Sequence, residues 1–177
     1  MYSTMNTGGN NVRLSIKQQV FSWNDKFSVK DENGNDKYYV EGEFFSWGKK
    51  LHVYDLNGKE VIFIQQKVFS FLPRFFVFVD GEEIAEIVKE FTFFKPVYSI
   101  SGLDWTIEGD FWLHDYQIIK SGNCVVSIRK EWFTWGDSYA LDIEDPKDEI
   151  PSLAVVLAID CVMAAANANA SSASHTV

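Results

Sequence analysis

Apolar and polar residues alternate along most of this chain in short runs, as in Lys26-Phe27-Ser28-Val29-Lys30 and Leu51-His52-Val53-Tyr54. A period of two places the apolar side chains on one face of an extended strand and the polar ones on the other. The runs are separated by Asn33-Gly34, Asn57-Gly58, Asp80-Gly81, Ser101-Gly102 and Ser121-Gly122. Such pairs tolerate positive φ, which a tight hairpin requires. Alternating runs joined by these turns predict an antiparallel meander of about a dozen strands. That is more than a strongly twisted open sheet holds without curling, so the chain is expected to close into an all-β barrel.

A second pattern overlies the first. Aromatic-Ser/Thr-aromatic triplets occur as Phe21-Ser22-Trp23, Phe45-Ser46-Trp47, Phe69-Ser70-Phe71, Phe91-Thr92-Phe93 and Phe133-Thr134-Trp135, with Phe111-Trp112 as a degenerate copy. They recur about every two dozen residues, the spacing of a structural repeat. Each unit holds one triplet, a short strand, a Gly turn and a longer strand. The longer strands are predicted to run into the triplets, for example over Glu60–Phe69 and Glu82–Phe93.

The alternation ends after Pro151. Leu153 to Ala166 is apolar on nearly every face, apart from Asp160, which predicts a helix buried all round. A barrel of about twelve strands is too wide to be filled by its own side chains, and a helix about 10–12 Å across suits the lumen. The apolar run falls short of the roughly 20 residues of a bilayer span, so the segment is expected to be core rather than transmembrane. Asp160 must then find a cation, backbone N–H groups or the barrel mouth. Residues 1–11 are expected to be a flexible N-terminus, 12–166 one barrel domain, and 167–177 a disordered polar tail.

Composition narrows the partners. Aromatic residues make up 16% of the chain and suit strands. The formal net charge of −9 disfavours nucleic acid. Cys124 and Cys161 are too few for a disulfide framework and sit among apolar residues, so both are expected to be buried free thiols. A cytoplasmic location follows as an expectation, peripheral to a membrane if the protein meets one.

The segments Asp31-Glu32-Asn33-Gly34, Lys89-Glu90-Phe91-Thr92-Phe93-Phe94-Lys95-Pro96, Glu108-Gly109-Asp110-Phe111-Trp112, Lys130-Glu131-Trp132-Phe133-Thr134-Trp135-Gly136-Asp137 and Ala158-Ile159-Asp160-Cys161 resemble the LURP-one-related family, including its bacterial YxjI-like members. The resemblance implies a Tubby C-terminal-like fold, twelve strands around a central hydrophobic helix, shared with phospholipid scramblases. It brings no catalytic residues, and no Tubby phosphoinositide motif matches.

Chemistry is sparse. His52, His114 and His175 are scattered, without the spacing of a shared metal site. Asp31 to Asp36 superficially resembles a calcium loop but lacks Gly at the sixth position and a distant Glu, and reads as an acidic hairpin turn. Glu131 and Asp137 pair as carboxylates only by the odds of an acidic chain, and no nucleophile elbow, phosphate loop or dinucleotide fingerprint occurs. No enzyme activity and no cofactor or metal is expected.

An up-and-down barrel sends alternate connections to opposite ends. One rim should carry the Gly turns with Asp31, Glu32, Asp36, Asp55, Asp80 and Glu82; the other should carry the triplets with Trp23, Trp47, Lys49, Lys50, Arg74 and Lys95. Trp with Lys is the composition of membrane interfaces. Two functions remain: a binding module meeting an anionic lipid surface or a protein partner through this second rim, or a small-molecule binder or enzyme with a cleft at a barrel mouth.

Overall fold

Twelve strands follow one another along the chain in a computed structural model that describes residues 11–17, 26–43, 48–90, 92, 97–110, 113–131 and 138–173, with side chains through residue 168. They are β1 (Val12–Lys17), β2 (Lys26–Lys30), β3 (Asp36–Glu43), β4 (Lys50–Asp55), β5 (Glu60–Gln66), β6 (Arg74–Val79), β7 (Glu82–Lys89), β8 (Tyr98–Ser101), β9 (Thr106–Asp110), β10 (Asp115–Lys120), β11 (Asn123–Glu131) and β12 (Ser138–Ile143). Every neighbouring pair is antiparallel, and the ladder runs β8-β7-β6-β5-β4-β3-β2-β1-β12-β11-β10-β9. The sheet curls into a nearly closed barrel. Its two ends, β8 and β9, lack a hydrogen-bonded register among the described residues, so the expected full closure stops one ladder short.

The turn chemistry explains the meander. Asp31 Oδ1 accepts the backbone N–H groups of Asn33 and Asn35 at 2.9 and 2.8 Å, and Asp55 Oδ1 accepts those of Asn57 and Lys59, each at 2.9 Å. Each carboxylate replaces the turn's missing backbone acceptors, and Gly34 and Gly58 supply positive φ of 80° and 79°. The same device twice, one repeat apart, is the structural form of the sequence repeat. It also explains the calcium-like spacing: Asp31 serves its own loop, while Asp36 accepts from Lys30 Nζ at 2.6 Å and Ser28 Oγ at 2.7 Å.

The inward face of each strand is apolar and buried, including Leu14, Val29, Val40, Val53, Ile64, Phe75, Ile87, Ile118 and Leu141. These side chains surround α1 (Glu149–Ala173), whose residues Leu153 to Ile159, Cys161 and Val162 are fully buried. α1 starts at the Gly-turn end, after β12, and runs back up the lumen. At its start Tyr38 Oη donates to Glu149 Oε1 at 2.7 Å and Lys37 Nζ lies 2.6 Å from the same oxygen. A carboxylate at a helix N-terminus also suits the helix dipole.

Three expectations need correction. The helix runs to Ala173, past the predicted end at Ala166 and into the segment read as a polar tail, because Ala-rich sequence propagates a helix that packing has already nucleated. The segment Pro146–Ala168 is therefore long and apolar enough for a bilayer by length and composition, so shortness does not argue against a span; in this fold 72% of its most apolar window is buried inside the protein. Cys161 is buried, but Cys124 is only partly so, because it lies beside the Ser121-Gly122 turn where β11 begins.

Candidate functional site

The strand order sends the connections β1–β2, β3–β4, β5–β6, β7–β8, β9–β10 and β11–β12 to one end of the barrel, opposite the Gly turns. By position in the chain, each triplet falls between the strands that one of these connections joins. Only Phe69-Ser70-Phe71 is fully described; the other four lie outside the described residues apart from Thr92. The predicted long strands end before their triplets, β5 at Gln66 and β7 at Lys89. After β5 the extended backbone is broken at Phe69, whose φ of 61° is left-handed.

Phe69 and Phe71 are 94% and 93% exposed. Seven large apolar side chains are exposed among the described residues, and five of them, Val68, Phe69, Phe71, Val97 and Leu113, sit on connections at this end. Of the basic residues expected there, Lys50 Nζ lies 3.1 Å from Glu43 Oε2 and Arg74 Nη1 lies 2.9 Å from Glu86 Oε1. Lys49 is half-buried, and burial holds its ammonium below the usual lysine range. Trp23, Trp47 and Lys95 lie outside the described residues. The exposed loop is bracketed instead by Lys67 and Arg74, with Lys67 Nζ 5.5 Å from the Phe76 ring centroid.

Just inside this end lies a buried polar cluster that the sequence reading did not assemble. Asp160 sits three helical turns up α1, and its Oδ2 accepts the Tyr139 hydroxyl. His114 Nε2 lies 3.4 Å from Asp160 Oδ1, and the His114 ring stacks on Tyr139 with centroids 4.5 Å apart. Tyr98 and Tyr116 lie within electrostatic range of the same carboxylate. Burial, with the Asp160 charge second, pushes the phenols of Tyr116 and Tyr139 well above their ordinary range and that of Tyr98 to about 12. Burial and Asp160 likewise push up the Cys161 thiol, against the pull of Lys49.

Among the described residues, the groups that engage Asp160 are a phenol and an imidazole beneath the barrel mouth, not a lysine, an arginine or an array of backbone N–H groups. His114, read as an isolated histidine, is part of this cluster; chain separation hid the contact. One sequence signal was available: Tyr98, Tyr116 and Tyr139 each occupy the first or second position of the alternate strands β8, β10 and β12. Strands entered from the same end place those positions at one level of the barrel.

His52 lies on the outer face, apart from this buried cluster. Its Nδ1 lies 2.5 Å from Glu60 Oε2 and its Nε2 3.1 Å from Glu43 Oε1, bridging β3, β4 and β5. The two carboxylates sit on opposite ring nitrogens and do not converge on one point. Among the described residues, no group of three or more His, Cys, Asp or Glu side chains has metal-holding geometry.

Known proteins carry the same pattern. An uncharacterized protein, YxjI, of Bacillus subtilis (strain 168) is 38% identical over 152 residues, covering 86% of this chain and 94% of its own. An X-ray structure of a protein from Arabidopsis thaliana superimposes with a TM-score of 0.58 at 17% identity, over 85% of this chain and 91% of that one, a likeness of fold. Neither name states a reaction. The LURP-one-related sequence profile matches residues 12–160, nearly all of the barrel and the helix as far as Asp160. The chain belongs to the LURP-one-related family.

Proposed function

We propose that the protein is a non-catalytic docking module that meets an anionic membrane surface with the triplet-bearing end of its barrel. The observation that carries this reading is the pair Phe69 and Phe71, both more than nine-tenths exposed on one loop. Phe69 and Phe71 are far more exposed than any other large apolar side chain among the described residues, and a patch of this kind marks a surface that something else covers. Entry of each ring into an apolar environment contributes about 1.5–3 kcal/mol. Each basic residue near an anionic surface adds about 1 kcal/mol, and Lys67 flanks the loop, the Arg74 charge being paired with Glu86. The sum supports weak, reversible attachment rather than permanent anchoring.

Co-sedimentation with phosphatidylcholine vesicles, with and without phosphatidylglycerol, tests the reading. Wild-type protein is expected in the pellet with the anionic vesicles, and the Phe69→Ser/Phe71→Ser variant in the supernatant, with unchanged thermal unfolding. Wild-type protein that ignores anionic vesicles even at low salt overturns it.

One observation favours a second reading, a small-molecule binder. The Asp160, His114 and Tyr139 cluster lies under the same mouth and concentrates the molecule's buried polar chemistry. Saturable thermal stabilisation by a soluble compound, lost in Asp160→Asn, would favour it over membrane docking.

A further inference from the structure

We infer that the loop carrying Phe69 and Phe71 is fixed in its exposed shape before anything touches it, and that Gly48, on the neighbouring connection, is the residue that positions it. The first observation is a mismatch at Phe69. Its φ of 61° is a conformation that bulky side chains rarely adopt, and such backbone persists only where its surroundings over-determine it. The ring is 94% exposed, so burial of the side chain does not offset that strain. The constraint comes from the ends of the loop.

Both ends are held. Lys67 N–H donates to the Arg74 carbonyl at 2.9 Å and closes the neck around residues 68–73. On one side Lys89 N–H donates to the Pro73 carbonyl at 3.1 Å and ties the neck to β7. On the other side the β3–β4 connection grips Gln66. Gln66 N–H donates to the Lys49 carbonyl at 2.8 Å, and Lys49 N–H donates to Gln66 Oε1 at 3.2 Å. The β4–β5 register ends with Lys50 opposite Gln65, so this exchange carries the pairing one residue further, to the foot of the loop.

Gly48 lets the two connections come this close. Its φ is 82°, and a Cβ there would stand 3.0 Å from the Gln66 carbonyl oxygen and 3.0 Å from Val68 Cγ2. Atoms in a packed structure seldom stand so near, so a side chain at this position pushes away Val68, the residue before Phe69. Gly58 makes the contrast: its φ is 79°, but no atom lies within 4 Å of a Cβ there. Both glycines supply left-handed backbone, and Gly48 also leaves room for the loop. The use of this brace in membrane attachment rests on the docking reading above. A surface already in its binding shape loses less conformational freedom on attachment.

Limited digestion of the full chain with chymotrypsin, with cleavage after Phe69 and Phe71 mapped by mass spectrometry, tests the inference, because a loop must open locally to enter a protease. Wild-type protein is expected to be cut slowly there in spite of its exposed rings. Gly48→Ala and Gly58→Ala carry the same backbone strain, but Gly48→Ala alone should speed cleavage, by roughly five- to tenfold. Gln66→Leu, which removes the acceptor of Lys49 N–H and leaves Gly48 in place, should speed it by less. Wild-type cleavage as fast as in Gly48→Ala overturns the inference. So does equal acceleration in Gly48→Ala and Gly58→Ala, which reports lost stability; where Gly48→Ala fails to fold, unchanged cleavage in Gln66→Leu overturns it. Sedimentation with anionic vesicles keeps the two readings apart. Gly48→Ala is expected to pellet less than Gly58→Ala. If no protein pellets, wild type included, the docking reading falls, while selective cleavage of Gly48→Ala still upholds the fixed loop.

Discussion

Asp160 shows how one polar residue is accommodated inside an apolar helix. A carboxylate moved from water into a protein interior is costly unless its oxygens are engaged. Here one oxygen accepts from Tyr139 and the other faces His114. Tyr139→Phe removes one donor and leaves the carboxylate under-satisfied, which is expected to lower unfolding stability by about 1–3 kcal/mol in urea titrations. Asp160→Asn and Asp160→Leu are each expected to lower the melting temperature, because each strands the Tyr139 hydroxyl or weakens its bond. Unchanged stability in all three variants would show that the cluster does not anchor the helix. The phenols carry a pH signature of their own. Burial raises the ionisation of Tyr38, Tyr98, Tyr116 and Tyr139 above that of an unfolded chain. A raised folded value means the stabilisation is complete below the unfolded phenol's pKa of about 10 and is lost as pH rises beyond it. Tyrosinate absorbance and circular dichroism should therefore change together for these four residues in alkali. Their titration near pH 10 with the sheet intact would contradict the burial.

At the level of the element, the helix and the repeat do different work. The strands alternate and need something to cover their inner face; α1 is apolar all round and needs something to surround it. Neither is satisfied alone, so the two should unfold together. Leu157, fully buried, makes the point with a single change: Leu157→Ala is expected to cost about 2–5 kcal/mol. Deleting the chain from Ser152 onward should leave a molten or insoluble barrel, with dye-accessible apolar surface and no sharp thermal transition. A truncated protein that stayed monomeric and unfolded cooperatively would show that the strands pack without their helix. The repeat, in turn, made all twelve strands legible, because period-two alternation and Asx-Gly turns are local and each strand needs only its own residues to announce itself. Strand ends are less legible. Aromatic residues favour strands wherever they occur, so the triplets looked like strand, whereas Phe69 in a left-handed conformation stands in a connection.

For the whole molecule, connectivity sorts the Gly turns and the exposed phenylalanines between two ends. The Gly-turn end holds the Asx turns of Asp31 and Asp55 and the Glu149 anchor; the opposite end holds the exposed phenylalanines. Basic residues occur at both ends and pairing does not separate them: Lys30, Lys37, Lys59 and Lys147 are paired with carboxylates at the first, and Lys26, Lys50 and Arg74 at the second. If attachment to anionic vesicles combines phenyl insertion with flanking charge, it should weaken but persist as ionic strength rises from about 0.01 M to about 1 M, where the screening length shrinks from about 30 Å to about 3 Å. Complete loss in salt would assign the binding to charge alone, and no loss would assign it to Phe69 and Phe71 alone. Sequence by itself determined the strand count, the turns, the buried helix and the sorting of connections between two ends, because each follows from periodicity or from residues adjacent in the chain. Only the tertiary structure decided that β8 and β9 leave a seam, that Lys50 and Arg74 are neutralised by Glu43 and Glu86, and that His114, Tyr139 and Asp160 meet. Those outcomes depend on how far the sheet curls and on which residues distant in sequence reach the same level of the barrel, and no local pattern encodes either.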